Sequence, residues 1–311
     1  MSHLKTLAVV NPNSANKSTG RIWPQIRNAI KLYVPAFDEI FTQQQGHATE
    51  IVGKALSEGY QLIVSVGGDG TNNEVVNGFF DGQGKLISPN ACFGIICRGT
   101  GGDLRKTLGV PLEFKEAASY LAGDSYRVLD VGKMTHIDRS GKQVVRYFIN
   151  ITSFGIGGFV DERVNRSSKA LGGKISFLYA SLVSMFTYKN QPVRLIVDGK
   201  DLGEQTIFNV AVANGQYFGG GMWVAPQAKM DDGLFDIVVL GDFKLNETLT
   251  QMSKIYKGTH LNHPKVTFLR GKSVKADSPE KVYLDVDGEA PGSLPATFEI
   301  LPGAIRFKIK A

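Results

Sequence analysis

The chain has 311 residues, with 35 Lys and Arg against 29 Asp and Glu, a formal net charge of +6, and 42% hydrophobic residues. That length suits two domains rather than one core, and the composition excludes wholesale disorder. No Lys/Arg block interleaved with aromatics appears, so nucleic acid is not an expected partner; the modest positive charge suits a protein that handles phosphorylated ligands or touches an anionic membrane.

Over the first 130 residues, short β-branched runs alternate with helical spacing, which predicts an α/β domain built on a parallel sheet. Leu4 to Val10 reads as a strand ending in Asn11-Pro12-Asn13-Ser14, and Ile22 to Leu32 as a helix with Pro24 near its start. Glu39 to Phe41 is a short strand leading into Thr42, and Ala48 to Ser57 a helix. Gln61 to Val66 is an apolar strand running into Gly67-Gly68-Asp69-Gly70-Thr71, with a helix expected over Asn72 to Phe80. Cys92 to Cys97 is a further strand, followed by Arg98-Gly99-Thr100-Gly101-Gly102-Asp103 and a helix from Leu104. Three strands thus end in loops rich in Gly, Asn, Ser and Asp, and open parallel sheets bind ligands at the carboxyl ends of their strands.

From about Val128 the texture changes. Strands are expected at Val128–Met134, Val144–Ile151, Pro192–Val197, Thr206–Ala213, Leu234–Leu240, Val266–Leu269, Val282–Val286, Thr297–Leu301 and Ala304–Ile309. Turn signals at Asp198-Gly199, Asp232-Gly233 and Asp287-Gly288 separate them, with helical interruptions near Ile175–Tyr188 and Leu245–Tyr256. The expected division is a nucleotide-binding domain over 1–130, completed by the tail 303–311, and a mostly antiparallel β-sandwich over 131–302.

Cys92 and Cys97 lie an odd number of residues apart on one strand, on opposite faces, so they are expected as unpaired, reduced thiols. Met1 to Lys5 runs straight into a strand without the long apolar region of a signal peptide. No stretch reaches membrane-spanning length, Ile175 to Tyr188 being broken by Ser176, Ser181, Ser184 and Thr187. A cytoplasmic protein is expected. His260 and His263 lack Cys or carboxylate partners for a metal, and no serine sits in a nucleophile elbow.

The chemistry concentrates in Gly67-Gly68-Asp69-Gly70-Thr71-Asn72-Asn73-Glu74-Val75-Val76-Asn77-Gly78. Glycines let backbone approach phosphate oxygens, and the helix start behind them supplies free N–H groups and positive potential. Asp69 is placed to hold Mg²⁺ and Thr71 to reach phosphate. The loop lacks the lysine of a Walker A loop and the spacing of a dinucleotide fingerprint. Read without context, it is also a tight turn capping a helix.

Val64 to Gly78 resembles the nucleotide signature of the diacylglycerol kinase catalytic-domain family, which includes bacterial lipid kinases, sphingosine kinases and ceramide kinases. Asn11-Pro12-Asn13-Ser14 is similar to that family's first nucleotide loop, Thr42 with Gly46 to Glu50 to its second, and Gly94 to Asp103, with Gly99-Thr100, to its third. The resemblance implies an NAD kinase/diacylglycerol kinase-like fold and ATP-dependent transfer of the γ-phosphoryl group to a lipid hydroxyl, diacylglycerol or a related lipid. It implies nucleotide contacts from Asn11, Pro12, Asn13, Ser14, Thr42, Gly67, Gly68, Gly70, Thr71, Asn73, Glu74 and Thr100. Asp69, Asp103 and Asp130 align with residues that organise a catalytic Mg²⁺ through water. The Asp232 carboxylate and the carbonyls of Lys229 and Leu234 align with a structural Mg²⁺ site, an oxygen set that suits a hard cation. Asp287-Gly288-Glu289 matches the late Asp-Gly-Glu, whose glutamate takes the hydroxyl proton as general base, beside Asp69 as the other catalytic residue.

There are departures. Gly101-Gly102 replace Ala-Asn in the third loop, Cys97-Arg98 replace Pro-Ala before it, and Ala15-Asn16 stand where glycine is common in the first. Alternative readings are a soluble-substrate kinase of NAD-kinase type, which shares Gly-Gly-Asp-Gly-Thr, and an inactive lipid- or nucleotide-binding regulator. Phe177, Leu178, Leu182, Met185 and Phe186, with Arg163, Arg166, Lys169 and Lys174 nearby, are compatible with peripheral contact at the inner face of the membrane, and equally with an amphipathic core helix. Bacterial relatives often dimerise, so a homodimer is compatible too. The acceptor lipid is left open, because apolar pockets discriminate tails weakly.

Overall fold

The computed structural model describes residues 4–99, 101–166 and 187–310. The chain divides into two compact units, Met1–Val131 with Pro302–Ala311, and Gly132–Leu301.

The first unit runs β1 (Thr6–Val10), α1 (Ser14–Lys31), β2 (Asp38–Phe41), α2 (His47–Ser57), β3 (Leu62–Gly67), α3 (Asp69–Asn77), β4 (Cys92–Cys97), α4 (Asp103–Leu108) and α5 (Phe114–Ala118), and then enters β5 (Tyr126–Asp138). Its strands lie in the order β2-β1-β3-β4, all parallel. Arg306 and Phe307, near the chain's end, pair in parallel with Cys92 and Phe93 and extend the sheet. β1, β3 and β4 are buried along their whole length. That is why they read as continuous apolar runs rather than alternating ones: a parallel sheet is covered on both faces. Phe93 packs edge-on against Phe79 and Phe307, which joins helix, sheet and tail in one core. Cys92 and Cys97 are both free and buried.

Two helix starts differ from the sequence reading. α1 opens at Ser14, but Ala15, Asn16 and Lys17 hold φ of 50°, 55° and 65°, so regular turns begin only after them. Glycine is favoured there because the left-handed region costs other residues roughly 1–2 kcal/mol each. α3 begins at Asp69, three residues early, because Gly68 is extended and its carbonyl already accepts the Asn72 N–H at 3.0 Å.

In the second unit the chain continues through β6 (Gln143–Phe148), β7 (Ile151–Gly155), α6 (Ile156–Arg166), β8 (Gln191–Val197), β9 (Lys200–Ile207), β10 (Asn209–Ala213), β11 (Phe235–Leu240), α7 (Leu245–Tyr256), β12 (Val266–Gly271), β13 (Ser273–Asp277), β14 (Leu284–Val286) and β15 (Gly292–Lys308). One antiparallel sheet has the order β12-β11-β10-β7-β14; facing it, β13 lies between β8 and β15. Val193, Leu195, Val274, Ala276 and Phe298 from one layer meet Phe154, Val210, Phe235, Ile237 and Leu284 from the other, so the unit is a β-sandwich. β11 is buried on both faces. Phe235, Ile237 and Val239 enter the sandwich, whereas Val238 and Leu240 pack under α7 with Ile255 and Phe243.

The expected strand over 144–151 is two strands, β6 and β7, and the one over 206–213 is also two, with Phe208 at the break. The first corner is buried and the second partly buried, and each falls inside a mostly apolar run. The last two expected strands are one, β15, passing through Pro302-Gly303. The helical expectation near 175–188 lies outside the described residues except at its last two positions. Among the described residues, no helix is long and apolar enough to cross a membrane.

Candidate functional site

Two centres carry the expected residues, one in each unit. In the first unit, the loops following β1, β3 and β4 come together, because these three strands are neighbours and point the same way. Asn11 donates its side-chain amide to the Thr71 hydroxyl at 2.9 Å, and its own Oδ1 accepts the Asn13 N–H at 3.0 Å. The Ser14 hydroxyl donates to the Asn11 carbonyl and lies 2.7 Å from the Thr19 hydroxyl. Pro12 packs against Gly20, where an added Cβ would lie 3.2 Å from the proline ring. Arg98 reaches across the loops to the Ser18 hydroxyl at 3.1 Å.

Glycine is required where the second and third loops touch. A Cβ on Gly99 would lie 2.6 Å from the Gly68 Cα, and one on Gly67 would lie 2.5 Å from the Thr71 hydroxyl oxygen. Behind this turn, Thr71, Asn72 and Asn73 are all buried. Asn73 accepts from the Asn77 amide, and Glu74 accepts the Ala48 N–H at 3.1 Å, tying α3 to the start of α2. Thr42 is buried at the end of β2, its N–H bound to the Val10 carbonyl. Thr100 lies outside the described residues.

Asp69 and Asp103 converge. The Asp69 carboxylate accepts the N–H groups of Asp103 and Leu104, each at 3.2 Å. Burial, then the nearby Asp103 charge, raises the Asp69 proton affinity, and the N–H groups at the start of α4 partly offset this. Lys106 pairs with Asp103 at 2.9 Å. A Cβ at Gly101 would stand 3.2 Å from one Asp69 oxygen and 3.3 Å from one Asp103 oxygen. Two carboxylate oxygens therefore face a gap that glycine keeps clear, an arrangement that fits a hard divalent cation. The departure at Gly101 thus has a local geometric consequence. Asp130, expected with them, is buried on β5 and accepts the Gly303 N–H at 2.7 Å. Among the described residues no three His, Cys, Asp or Glu groups gather closely enough to ligate a metal directly.

In the second unit, Asp287 and Gly288 hold φ of 48° and 87°. Val286 and Glu289 exchange both backbone hydrogen bonds across them. This is the two-residue hairpin that Asp-Gly favours, and it presents Glu289, whose side chain pairs with Arg146 and keeps 22% of its surface exposed. Beneath it lies an acid pair that sequence reasoning missed. Asp161 and Asp285, 8% and 6% exposed, share a hydrogen bond. Asp285 also accepts the Gly288 N–H at 2.9 Å and the Ser153 hydroxyl at 3.1 Å. Asp285 is the acceptor of the pair; burial raises its own proton affinity too, and the hydrogen bonds it accepts from Asp161, Gly288 and Ser153 partly offset this. Asp161 holds the proton, its affinity raised by burial, then by the Asp285 charge, and further by Glu289. A polar residue inside the apolar run Leu284-Asp285-Val286 was the available signal.

The loop expected to hold a structural cation carries an ion-pair network. The Asp232 carboxylate accepts the Leu234 N–H at 3.2 Å and carries the Arg270 guanidinium, which also binds Asp236 at 2.8 Å. Lys229, Gln216, Pro226 and Arg270 line an adjoining cavity of about 420 Å³.

Known proteins match along the whole chain. The diacylglycerol kinase catalytic domain model matches residues 5–134, and the YegS C-terminal NAD kinase beta sandwich-like domain model matches residues 150–309. A diacylglycerol kinase from Staphylococcus carnosus is 31% identical, covering 93% of this chain and 90% of that protein. A crystal structure of a putative diacylglycerol kinase from Bacillus anthracis superposes with a TM-score of 0.80 at 26% identity, over 99% of this chain and 96% of that one. Yeast NADH kinase complexed with NADH shares the fold, with a TM-score of 0.53 at 12% identity over 100% of this chain and 85% of that one.

Proposed function

The chain belongs to the diacylglycerol kinase family, and from that premise we propose that this kinase transfers the γ-phosphoryl group of ATP to the hydroxyl of diacylglycerol or a related lipid alcohol. The observation that carries the reading is the convergence of the three loops at Asn11–Thr71, Gly68–Gly99 and Asp69–Asp103. These contacts bring bare backbone, two hydroxyl-bearing loops and a carboxylate pair to one end of the parallel sheet, the chemistry a triphosphate needs.

In this proposal Asn11, Pro12, Asn13, Ser14, Thr42, Gly67, Gly68, Gly70, Thr71 and Thr100 hold the nucleotide, while Asn73 and Glu74 fix the helices behind it. Asp69 and Asp103 would hold Mg²⁺, which supplies charge neutralisation on the phosphates. Asp130 supports the Gly303 turn. Glu289 accepts the proton of the lipid hydroxyl as its oxygen bonds to the γ-phosphorus; the bond from that phosphorus to the bridging oxygen breaks, and ADP leaves. Arg146 fixes the Glu289 carboxylate in one orientation. The lipid acceptor places the reaction at the inner face of the membrane.

The test is transfer of labelled γ-phosphate from ATP and Mg²⁺ to a panel of diacylglycerol, monoacylglycerol, phosphatidylglycerol, sphingoid base and polyprenol, with NAD as a further acceptor. Label is expected only in the organic phase, with most of it lost in Glu289→Gln. Label on NAD alone would move the chain to the soluble-substrate reading, and ATP left untouched with every acceptor would leave only a binding role.

A further inference from the structure

Helix α7 buries one side and leaves an apolar stripe uncovered. Thr248 and Ile255 face the sandwich. Leu245, Leu249 and Tyr256 are 37%, 54% and 49% exposed, and half-buried Met252 completes the spacing of four, three and four. Residues so spaced share one helix face.

Lys244 and Lys257, both exposed, flank the two ends of this stripe. Glu247, the helix's only carboxylate, accepts the Lys244 N–H at 2.8 Å and pairs with Lys265 at 2.6 Å. Asp242, just before the helix, is held by the Asn190 amide at 2.7 Å, and the neighbouring Lys189 is exposed. Of the charged side chains named, the exposed ones are Lys244, Lys257 and Lys189 against Asp242, a cationic excess. From the base of α7, ring contacts run from Phe243 to Phe208, on to Tyr188 and then to Phe159. They end at a cavity of about 210 Å³ walled by Phe159, Tyr188, Val282 and Tyr283, with Lys189 and Lys281 also lining it.

We propose that the Leu245–Leu249–Met252–Tyr256 face of α7 is a docking surface for an anionic phospholipid membrane. The inference rests on the reading that the acceptor is a lipid, and it names the surface that meets the lipid phase. Apolar side chains enter the acyl boundary, and the lysines lie at the level of the anionic headgroups. A second copy of the chain is the weaker occupant, because a symmetric contact would bring the same lysines toward one another.

The experiment is flotation of the full chain with vesicles of phosphatidylcholine alone or mixed with phosphatidylglycerol, beside turnover assays on vesicle-borne and on soluble short-chain diacylglycerol. Wild type should float with the mixed vesicles and only weakly with phosphatidylcholine. The double variant Leu245→Gln/Leu249→Gln should partition about tenfold less into both. Lys244→Gln/Lys257→Gln should lose the preference for phosphatidylglycerol and its salt sensitivity. Both variants should turn over the soluble substrate as wild type does while losing rate on vesicles. Unchanged flotation of the leucine variant overturns the proposal, as does a dimer in light scattering that the variant dissolves without altering flotation. Flotation that follows the variants, with no turnover of any lipid, supports the docking face and refutes the lipid-kinase reading instead.

Discussion

Replacing either member of the acid pair under Glu289 by asparagine should give opposite results. Asp285 is an acceptor three times over, from Asp161, the Gly288 N–H and the Ser153 hydroxyl. Asp285→Asn turns one acceptor oxygen into an NH₂ donor facing another donor. That loses one charge-assisted hydrogen bond, about 1.5–3 kcal/mol, and orphans a buried group, about 1–3 kcal/mol more. A loss of about 3 kcal/mol or greater is expected, with the Gly288 turn loosened and activity reduced. Asp161→Asn keeps a donor toward Asp285 and should cost less than about 1 kcal/mol at about pH 4 and below, where wild type holds its proton folded and unfolded alike.

The same pair fixes a pH dependence. Burial, then the Asp285 charge, raises the Asp161 proton affinity in the folded state. The unfolded chain releases this proton at about pH 4, whereas the folded chain keeps it. The proton-linked stability is full below that point and is lost as pH rises toward the folded value. Asp161→Asn has no such proton, so it should gain on wild type by about 1.4 kcal/mol per pH unit within that window. Denaturant unfolding of the three proteins between about pH 4 and pH 8 measures both effects. A wild-type-minus-Asp161→Asn difference that stays flat with pH, or equal damage from the two variants, would refute the shared-proton account.

Gly99→Ala should separate the second and third loops, since its methyl would sit 2.6 Å from the Gly68 Cα. A cost of about 1–3 kcal/mol and a raised KM for ATP are expected, and wild-type kinetics would contradict that close approach. Asn72 is 1% exposed and, among the described residues, its side-chain nitrogen and oxygen lack hydrogen-bond partners; Asn72→Leu should therefore stabilise the first unit by about 1–2 kcal/mol in thermal unfolding, the reverse sign counting against it. Arg270→Met leaves the Asp236 carboxylate buried without its cation. Its cost should be about 3–5 kcal/mol by denaturant titration, and Asp236→Asn in the same background should recover part of it.

Much of the first unit was legible because its signals are local. Apolar runs such as Cys92–Cys97 ended in glycine-rich loops, and the strand found there has those bounds. Sheet order then did what spacing cannot: it brought Asn11 to Thr71 and Asp69 to Asp103, residues far apart in the chain. The second unit was less legible. Nothing in Val144–Ile151 marks the corner at Ile149-Asn150, since both residues are buried on whichever sheet they serve. Ser273–Asp277 alternates Val274 and Ala276 inward with Lys275 and Asp277 outward, and its charged half hid it. Asp161 and Asp285 escaped notice because each is an ordinary acid until the fold removes water from both. Arg270 was invisible as the partner of Asp232 because strand pairing, not sequence distance, brings them together.

The pairing of Arg306 and Phe307 with Cys92 and Phe93 has a bearing on biosynthesis. The sheet that presents the glycine loops lacks a flank until residues 306 and 307 have been made. A nascent chain emerging from the ribosome would expose the β4 rim, a sticky edge, and a fragment stopping at Val131 would do so permanently. Loop assembly in this way waits on a segment far downstream of β4.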